Sequence, residues 1–150
     1  GNMKKTEILS KLPYGKPFLF VDELLQIDEN GVTGTFTYAK TLPFFEGHFK
    51  DFPVTPAVIL TETMAQIGLV CLGLYLLKDT ELEENFSVAM TSNAIDFLKP
   101  VFPGEKVVVT SQKVYFRFNK LSCNVKMENA SGDVVCKGNI SGMLILKSNG

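Results

Sequence analysis

The chain has 150 residues, of which 45% are hydrophobic and 21% charged, and its formal net charge is −1. This length and composition predict one soluble globular domain with a hydrophobic core of its own. A pI near 5.9, a single arginine (Arg117) and the lack of a basic stripe exclude a nucleic-acid-binding surface. Gly1 and Asn2 precede Met3 and are expected to be an expression scar, so the domain is predicted to span residues 3–150.

The first forty residues predict a short helix followed by a hairpin. Thr6–Lys11 is expected to be helical, and residues 18–28 form a largely apolar segment that predicts a strand. Residues 28–31 predict a turn in which Gly31 is available for a positive φ. Val32–Tyr38 alternates between apolar and polar side chains and is expected to return along the first strand.

The stretch from Phe45 to Leu77 organises the rest of the chain. Gly47 and two prolines punctuate its first half, which predicts a shaped loop. Its second half predicts a helix that begins near Ala57 and runs for about 20 residues, or about 30 Å. Because this helix is apolar on nearly every face, we expect it to be buried all round. A membrane span is not expected, since Glu62 and Gln66 interrupt the longer apolar window.

Polar residues in and before this helix predict acid–base chemistry. Glu62 and Gln66 lie four residues apart and therefore project from one face, where the Gln66 amide is expected to donate to Glu62 and fix its orientation. A carboxyl group in apolar surroundings must be paired, hydrogen-bonded or protonated. His48 is the only histidine, and an imidazole takes or gives a proton near neutral pH. With the unpaired N–H groups of a helix start near Ala57, these residues predict a proton-transfer site beside a carbonyl group that needs no nucleophile.

The second half of the chain is predicted to consist of strands and turns, after a charged loop at residues 78–84 that we expect to be solvated. The predicted strands are 86–97, 106–118, 121–127 and 134–146, with a bend at 100–105 and turns at 119–120 and 129–133. Cys71, Cys123 and Cys136 are odd in number and have no metal-ligand spacing, so they are expected to be small buried hydrophobes in a reducing compartment. A hairpin, one buried helix and four antiparallel strands predict an α+β fold with a curved antiparallel sheet wrapped around one central helix.

Several segments resemble FabZ-type (3R)-3-hydroxyacyl-acyl-carrier-protein dehydratases, which belong to the hotdog-fold FabA/FabZ family. They are Leu12–Pro13 with residues 17–22, Phe44–Phe49, Pro53–Pro56, Glu62–Gln66 and Phe97–Glu105. The spacing from His48 to Glu62 also matches that of the family. The resemblance runs through most of the chain and implies a hotdog fold that forms a double hotdog as a dimer.

The resemblance implies a role for each candidate residue. His48 would remove the α-proton of a 3-hydroxyacyl thioester, and Glu62 would hold and protonate the departing 3-hydroxyl, which leaves a trans-2-enoyl thioester. Gln66 would orient Glu62, and a backbone N–H of Ala57 or Val58 would polarise the thioester carbonyl. Further expected site residues are Gly47 in support and Phe49, Pro56 and Phe97 in contact with substrate. No metal or cofactor is expected.

The resemblance also implies partners and a place in the cell. The substrate would be an acyl-phosphopantetheine group on an acyl carrier protein, in cytoplasmic fatty-acid, lipid or polyketide-like biosynthesis. His48 and Glu62 would come from opposite subunits of a homodimer, and dimers of relatives often assemble into a trimer of dimers. No nucleic-acid or membrane partner is expected.

The chain departs from the family pattern at several positions. Residues 14–16 read Tyr-Gly-Lys where His-Arg-Tyr is usual, and residues 50–51 read Lys-Asp where Pro-Gly is usual. Ala57 replaces a glycine at the helix start, where its methyl group would narrow the acyl path. Only Lys99 remains of the basic residues that are common around Phe97. These differences suggest a specialised member of the family with altered docking of the carrier protein.

Two other functions stay open at this point. A thioesterase on the same fold could use Glu62 and would release free thiol. A non-catalytic subunit could bind acyl chains or pair with an active partner. A single histidine and a buried glutamate can also be purely structural, and a dehydration assay with a parallel assay for thiol separates these functions.

Overall fold

The computed structural model describes residues 4–80 and 86–146. Its elements are helix α1 (Lys5–Ser10), strands β1 (Glu23–Asp28) and β2 (Gly31–Thr37), a 3₁₀ turn (Pro43–Glu46), the central helix α2 (Ala57–Leu76), and strands β3 (Phe86–Phe97), β4 (Lys106–Arg117), β5 (Lys120–Asn129) and β6 (Val134–Leu146). The six strands form one antiparallel sheet in the order β1-β2-β4-β5-β6-β3. The predicted α+β fold, a curved antiparallel sheet around one central helix, is confirmed.

Helix α2 is buried against the sheet for most of its length. Every residue from Thr63 to Tyr75 is buried. The helix has a mean hydropathy of 1.7 and is long and apolar enough to cross a membrane by length and composition alone. The expectation that Glu62 and Gln66 would interrupt such a window was therefore wrong. Because 72% of that window is buried inside the domain, α2 is the core helix of a globular protein.

Helix α2 widens in its middle, where it touches the sheet. It is α-helical over Ala57–Ala65, π-helical over Gln66–Cys71 and α-helical again over Leu72–Leu76. In the wide turns the Ser111 hydroxyl of β4 donates a hydrogen bond of 2.9 Å to the Gly68 carbonyl. A Cβ atom at Gly68 would lie 3.1 Å from the Ser111 Cβ, so glycine permits this close approach of helix and sheet.

The strands of the second half form where they were predicted, and three register shifts interrupt their pairing, between Met90 and Ser92, between Lys113 and Tyr115, and between Met127 and Glu128. The alternating residues of β5, which are Leu121, Cys123, Val125 and Met127, are each 2% exposed or less and face α2. In β4 the register shifts between Lys113 and Tyr115, which turns Val114 outward. The turn from β4 to β5 places Phe118 and Asn119 at φ values of 51° and 60°, as a tight hairpin requires.

Two expectations for the first hairpin were wrong. The segment predicted as a strand from residue 18 enters the sheet only at Glu23, because a side chain of α2 binds the backbone of the preceding residues instead. Gly31 does not have a positive φ. Glycine is required at this position for a steric reason, because a Cβ atom there would collide with the Ser111 carbonyl oxygen on the neighbouring β4. The Asp28 carboxylate closes the turn by accepting hydrogen bonds from the Asn30 and Gly31 N–H groups at 2.8 and 3.1 Å.

The three cysteines are free and buried, as predicted. Burial raises the pKa of each thiol, that of Cys136 to about 12, so none is a ready nucleophile at neutral pH. In the predicted charged loop, residues 78–80 form a turn, and residues 81–84 lie outside the described residues, as do Gly1 and Asn2.

Candidate active site

Backbone hydrogen bonds hold the loop that carries His48 in a fixed shape. The His48 N–H donates to the Phe44 carbonyl at 3.0 Å, and the Val54 N–H donates back to the His48 carbonyl at 2.8 Å. Phe49 and Phe52 exchange two further bonds of 2.9 and 3.1 Å across the loop. The loop is therefore pinned at both ends of its bend, and Gly47 lies where it leaves the 3₁₀ turn.

The position of the His48 ring defines which nitrogen is available for chemistry. Its Nδ1 lies 3.0 Å from the Val54 carbonyl oxygen. A carbonyl oxygen can only accept, so Nδ1 carries the proton and the neutral ring keeps its lone pair on Nε2. The ring also stacks on Phe49, with 4.1 Å between ring centroids. The protein thus orients a half-buried imidazole as a proton acceptor through Nε2.

Helix α2 begins at Ala57, as predicted, and its first turn leaves donors unused. The first helical hydrogen bonds run from the Ile59 and Leu60 N–H groups to the Pro56 carbonyl at 2.9 and 3.2 Å. The N–H groups of Ala57 and Val58 precede these bonds and have no acceptor within the helix. Both residues are exposed, Val58 to 74%, so a ligand carbonyl has access to this end of the helix.

An open groove of about 300 Å³ lies at the start of α2. It is lined by Val54, Thr55, Ala57, Leu60, Phe97, Leu98, Lys99 and Pro100. The groove brings together Ala57 and Phe97, two of the predicted site residues, and it includes Val54, whose carbonyl orients His48. Phe49 and Phe97 are 54% and 47% exposed, which suits residues that contact a ligand more than residues of a core.

A second groove, of about 490 Å³, lies on the sheet away from these residues. It is lined by polar side chains of β3 to β6, among them Asp96, Gln112, Asn124, Lys126 and Asn139. None of the predicted site residues borders it. The candidate site is therefore identified by its chemistry and not by the size of its cavity.

Glu62 lies half-buried on the first part of α2. Burial raises the pKa of its carboxyl group above the ordinary value of 4.5, and a hydrogen bond from the Gln66 side chain partly opposes this shift. Because its pKa is raised, the Glu62 carboxyl group keeps its proton to a higher pH than an ordinary glutamate does. Such a group can donate that proton to a departing oxygen.

Gln66 is fully buried and has a role that the sequence did not reveal. Its Oε1 accepts a hydrogen bond of 2.8 Å from the Phe20 N–H, and its Nε2 donates one of 2.9 Å to the Phe18 carbonyl. The same amide therefore ties the segment before β1 to the central helix and contributes a hydrogen bond to Glu62. These backbone partners lie 46 and 48 residues away in sequence, so no local pattern could have identified them.

Replacement of Gln66 by leucine should destabilise the protein by about 2–6 kcal/mol. The variant leaves the Phe20 N–H and the Phe18 carbonyl without their partner, at about 1–3 kcal/mol for each buried group. Urea denaturation measures this change in the free energy of unfolding. The control is Gln112→Leu, because Gln112 is exposed on the sheet and should change stability by less than about 0.5 kcal/mol. Equal stability of the two variants would show that the tie is weak.

The sequence analysis assigned no role to Tyr14, whose phenol lies within electrostatic range of Glu62. Its phenol is half-buried, and burial followed by the charges of Glu62 and Cys71 raises its pKa to about 12. A signal was present in the sequence, since residues 14–16 depart from the family pattern. That departure did not reveal that the tyrosine lies within electrostatic range of Glu62.

Within the described part of one chain, the two candidate acid–base residues are not bonded to each other. Between the His48 and Glu62 side chains no hydrogen bond or ion pair exists in the described part of the chain. Across residues 4–80 and 86–146, no three His, Cys, Asp or Glu side chains are grouped so that they could hold a metal ion. Gly47 directly precedes His48, and Phe49 and Pro56 lie in the loop between His48 and the start of α2.

The chain is similar to known proteins of one family. The model of the FabA-like domain family matches residues 12–140. A protein named 3-hydroxyacyl-[acyl-carrier-protein] dehydratase FabZ from Sinorhizobium fredii is 35% identical over 153 aligned residues, which cover 99% of this chain and 94% of that protein. A protein of the same name from Geotalea uraniireducens is 34% identical over an alignment that covers 77% of this chain and 79% of that protein.

Solved structures share the fold at low sequence identity. A dehydratase heterocomplex from Xenorhabdus doucetiae superimposes with a TM-score of 0.75 at 14% identity and covers 93% of this chain and 91% of its own. A mutant thioesterase from Pseudomonas aeruginosa superimposes with a TM-score of 0.69 at 7% identity. The match covers 97% of this chain and 96% of that protein's chain. The family match and the sequence relatives together identify the chain as a FabZ-type member of the FabA-like, hotdog-fold family.

Proposed function

We propose that this protein dehydrates a carrier-bound (3R)-3-hydroxyacyl thioester to the trans-2-enoyl thioester. The observation that carries the proposal is the hydrogen bond from His48 Nδ1 to the Val54 carbonyl, which leaves Nε2 as an oriented base. It occurs in a chain that is 35% identical over nearly its whole length to proteins named 3-hydroxyacyl-[acyl-carrier-protein] dehydratase. The same activity in those relatives supports a role in fatty-acid biosynthesis.

The residues of the site divide the reaction between a base, an acid and a pair of donors. His48 Nε2 takes the α-proton, and the electrons of that C–H bond form the carbon–carbon double bond as the C3–oxygen bond breaks. Glu62, in its protonated form, gives its proton to the departing hydroxyl group, which leaves as water. The N–H groups of Ala57 and Val58 stabilise the negative charge that develops on the thioester oxygen. The step leaves the α-proton on His48 and a negative charge on Glu62, and a proton transfer between them through solvent restores the site. No oxidation state changes, so the step needs no redox cofactor.

We further propose that the active unit is a homodimer in which His48 of one subunit faces Glu62 of the other. Strand β3 lies at one end of the sheet order, so among the described strands one of its backbone edges has no neighbour and is available to a second subunit. Met90 and Phe97 on β3 are 41% and 47% exposed, and Val58 at the helix start is 74% exposed, which suits an apolar interface. Assembly of three dimers and a cytoplasmic location are further predictions from the family resemblance.

The proposed partner is an acyl carrier protein that presents its acyl-phosphopantetheine group at the groove beside Ala57. Lys99 is the basic residue that lines this groove, and its Nζ lies 3.0 Å from the Asp133 carboxylate. That ion pair partly neutralises the charge available to an acidic carrier. This ion pair supports the proposal that the protein is a specialised member of its family, whose carrier protein docks through residues other than Lys99.

A coupled assay tests the proposed reaction against the alternatives. Pantetheine-linked (3R)-3-hydroxyacyl thioesters of several chain lengths are incubated with the protein, and enoyl absorbance and free thiol are measured in the same tube. We expect enoyl product without thiol. Thiol without enoyl product would make the protein a thioesterase, a function shared by structural neighbours that are only 7–17% identical. Neither product would indicate a binding subunit.

A further inference from the structure

Tyr14 is held near Glu62 by the segment that precedes β1. The Phe18 N–H donates a hydrogen bond of 2.8 Å to the Gly15 carbonyl, which closes a tight turn directly after Tyr14. The Tyr14 and Phe18 rings lie 6.5 Å apart, and Phe18 in turn packs edge-to-face on Phe20 at 5.1 Å. The turn therefore determines where the Tyr14 ring can lie.

This turn is attached to the face of α2 that carries Glu62. The buried Gln66 side chain binds the backbone of Phe18 and of Phe20 at 2.9 and 2.8 Å. Glu62 precedes Gln66 by four residues, so the two side chains project from the same face of the helix. Through this connection the Tyr14 phenol lies within electrostatic reach of the Glu62 carboxyl group in the same subunit.

The phenol is free to serve a ligand. Among residues 4–80 and 86–146 the Tyr14 hydroxyl has no hydrogen-bond partner, and the side chain is only half-buried. Burial and the charge of Glu62 raise its pKa to about 12. The hydroxyl group therefore keeps its proton throughout the neutral range and can act as a hydrogen-bond donor there.

We propose that the Tyr14 hydroxyl donates a hydrogen bond to the 3-hydroxyl oxygen of the substrate, on which Glu62 acts as the acid. The inference rests on the proposed dehydratase function and adds a substrate-binding residue to it. A donor at this position holds the departing oxygen against Glu62 and stabilises the negative charge that this oxygen gains as the C3–oxygen bond breaks. Such a donor favours binding of a 3-hydroxyacyl group over a saturated one, since only the former has a partner for the phenol.

The test compares the binding of two ligands to two protein variants that cannot catalyse the dehydration. The background is His48→Asn, because asparagine can still donate to the Val54 carbonyl but offers no base. Calorimetry measures binding of pantetheine thioesters of (3R)-3-hydroxyoctanoate and of octanoate, with and without Tyr14→Phe. We expect Tyr14→Phe to weaken binding of the hydroxylated ligand by about threefold to tenfold and that of octanoyl-pantetheine by less than twofold. The control Tyr115→Phe, on β4 and outside the site, should change neither affinity.

Each other outcome has a distinct meaning. Equal losses for both ligands would make Tyr14 a packing residue, and no loss for either would place it away from the substrate; both results overturn the inference and leave the dehydratase function intact. Failure of both ligands to bind the parent His48→Asn protein would overturn the inference together with the proposed function.

In the otherwise unchanged protein, Tyr14→Phe should lower kcat by about tenfold with little change in melting temperature.

Discussion

Replacement of His48 by alanine should lower kcat/KM for dehydration by about 10³-fold. Removal of a general base costs about 10²–10⁴-fold, and no other histidine exists in the chain to take its place. The measurement is the initial rate of enoyl formation from a (3R)-3-hydroxyacyl-pantetheine. Residual activity within tenfold of the unchanged protein would contradict the assignment of His48 as the base.

The alanine variant also loses the hydrogen bond to Val54, so a second variant separates structure from chemistry. In His48→Asn the side-chain amide can replace Nδ1 as donor to the Val54 carbonyl, which lies 3.0 Å from the imidazole. It has no nitrogen lone pair that can accept a proton. We expect His48→Asn to match the unchanged protein in melting temperature and His48→Ala in activity. An active His48→Asn variant would show that the ring matters for loop structure alone.

The sequence predicted the fold because its signals are local. The apolar helix with Glu62 and Gln66, the alternation in β5 and the turn at Gly132 each depend on neighbouring residues, and all three occur in the structure. The errors arose where distant residues decide the outcome. The strand expected from residue 18 is displaced by Gln66, which lies 46 residues further along, and Gly31 is required by the proximity of Ser111 on another strand.

The same reasoning explains what the sequence revealed of the site. His48, Glu62 and the helix start at Ala57 were predicted as site residues because their residue types indicate acid–base chemistry and the spacing from His48 to Glu62 matches that of the family. Tyr14 was not a candidate, since its proximity to Glu62 depends on the Gly15–Phe18 turn and on the contact of Gln66 with that segment. Lys99 was identified as the remaining basic residue near Phe97, but its pairing with Asp133 at 3.0 Å required the structure.

Replacement of Glu62 by glutamine should lower dehydration by about 10²–10³-fold and should not destabilise the protein at neutral pH. Glutamine has nearly the same shape but cannot give a proton to the departing hydroxyl group. Burial raises the folded-state pKa of Glu62 above its ordinary value of 4.5. Its contribution to stability is then complete below the unfolded-state pKa and is lost as the pH rises through the folded-state pKa. Glutamine does not titrate, so the variant should be at least as stable as the unchanged protein above that pH.

Thermal unfolding between pH 4 and pH 8 measures this linkage. The melting temperature of Glu62→Gln relative to the unchanged protein should rise with pH over the range in which Glu62 loses its proton. Glu29→Gln is the control, because Glu29 is exposed in the first hairpin turn and should give no such trend. A melting temperature of Glu62→Gln that falls relative to the unchanged protein as the pH rises would mean that the carboxylate is stabilised in the fold and is not held there as an acid.

The two inactive variants together decide how the site is assembled. If His48 and Glu62 act across a two-fold dimer, a mixed dimer of one His48→Ala and one Glu62→Gln subunit contains one intact site and one doubly defective site. Refolding of an equal mixture should then recover about a quarter of the unchanged activity, since about half of the dimers are mixed and each has one working site. If both residues acted within a single subunit, no mixed dimer would contain an intact site and the activity would stay at the level of the separate variants. Recovery of activity in the mixture would therefore show that each active site uses one residue from each subunit.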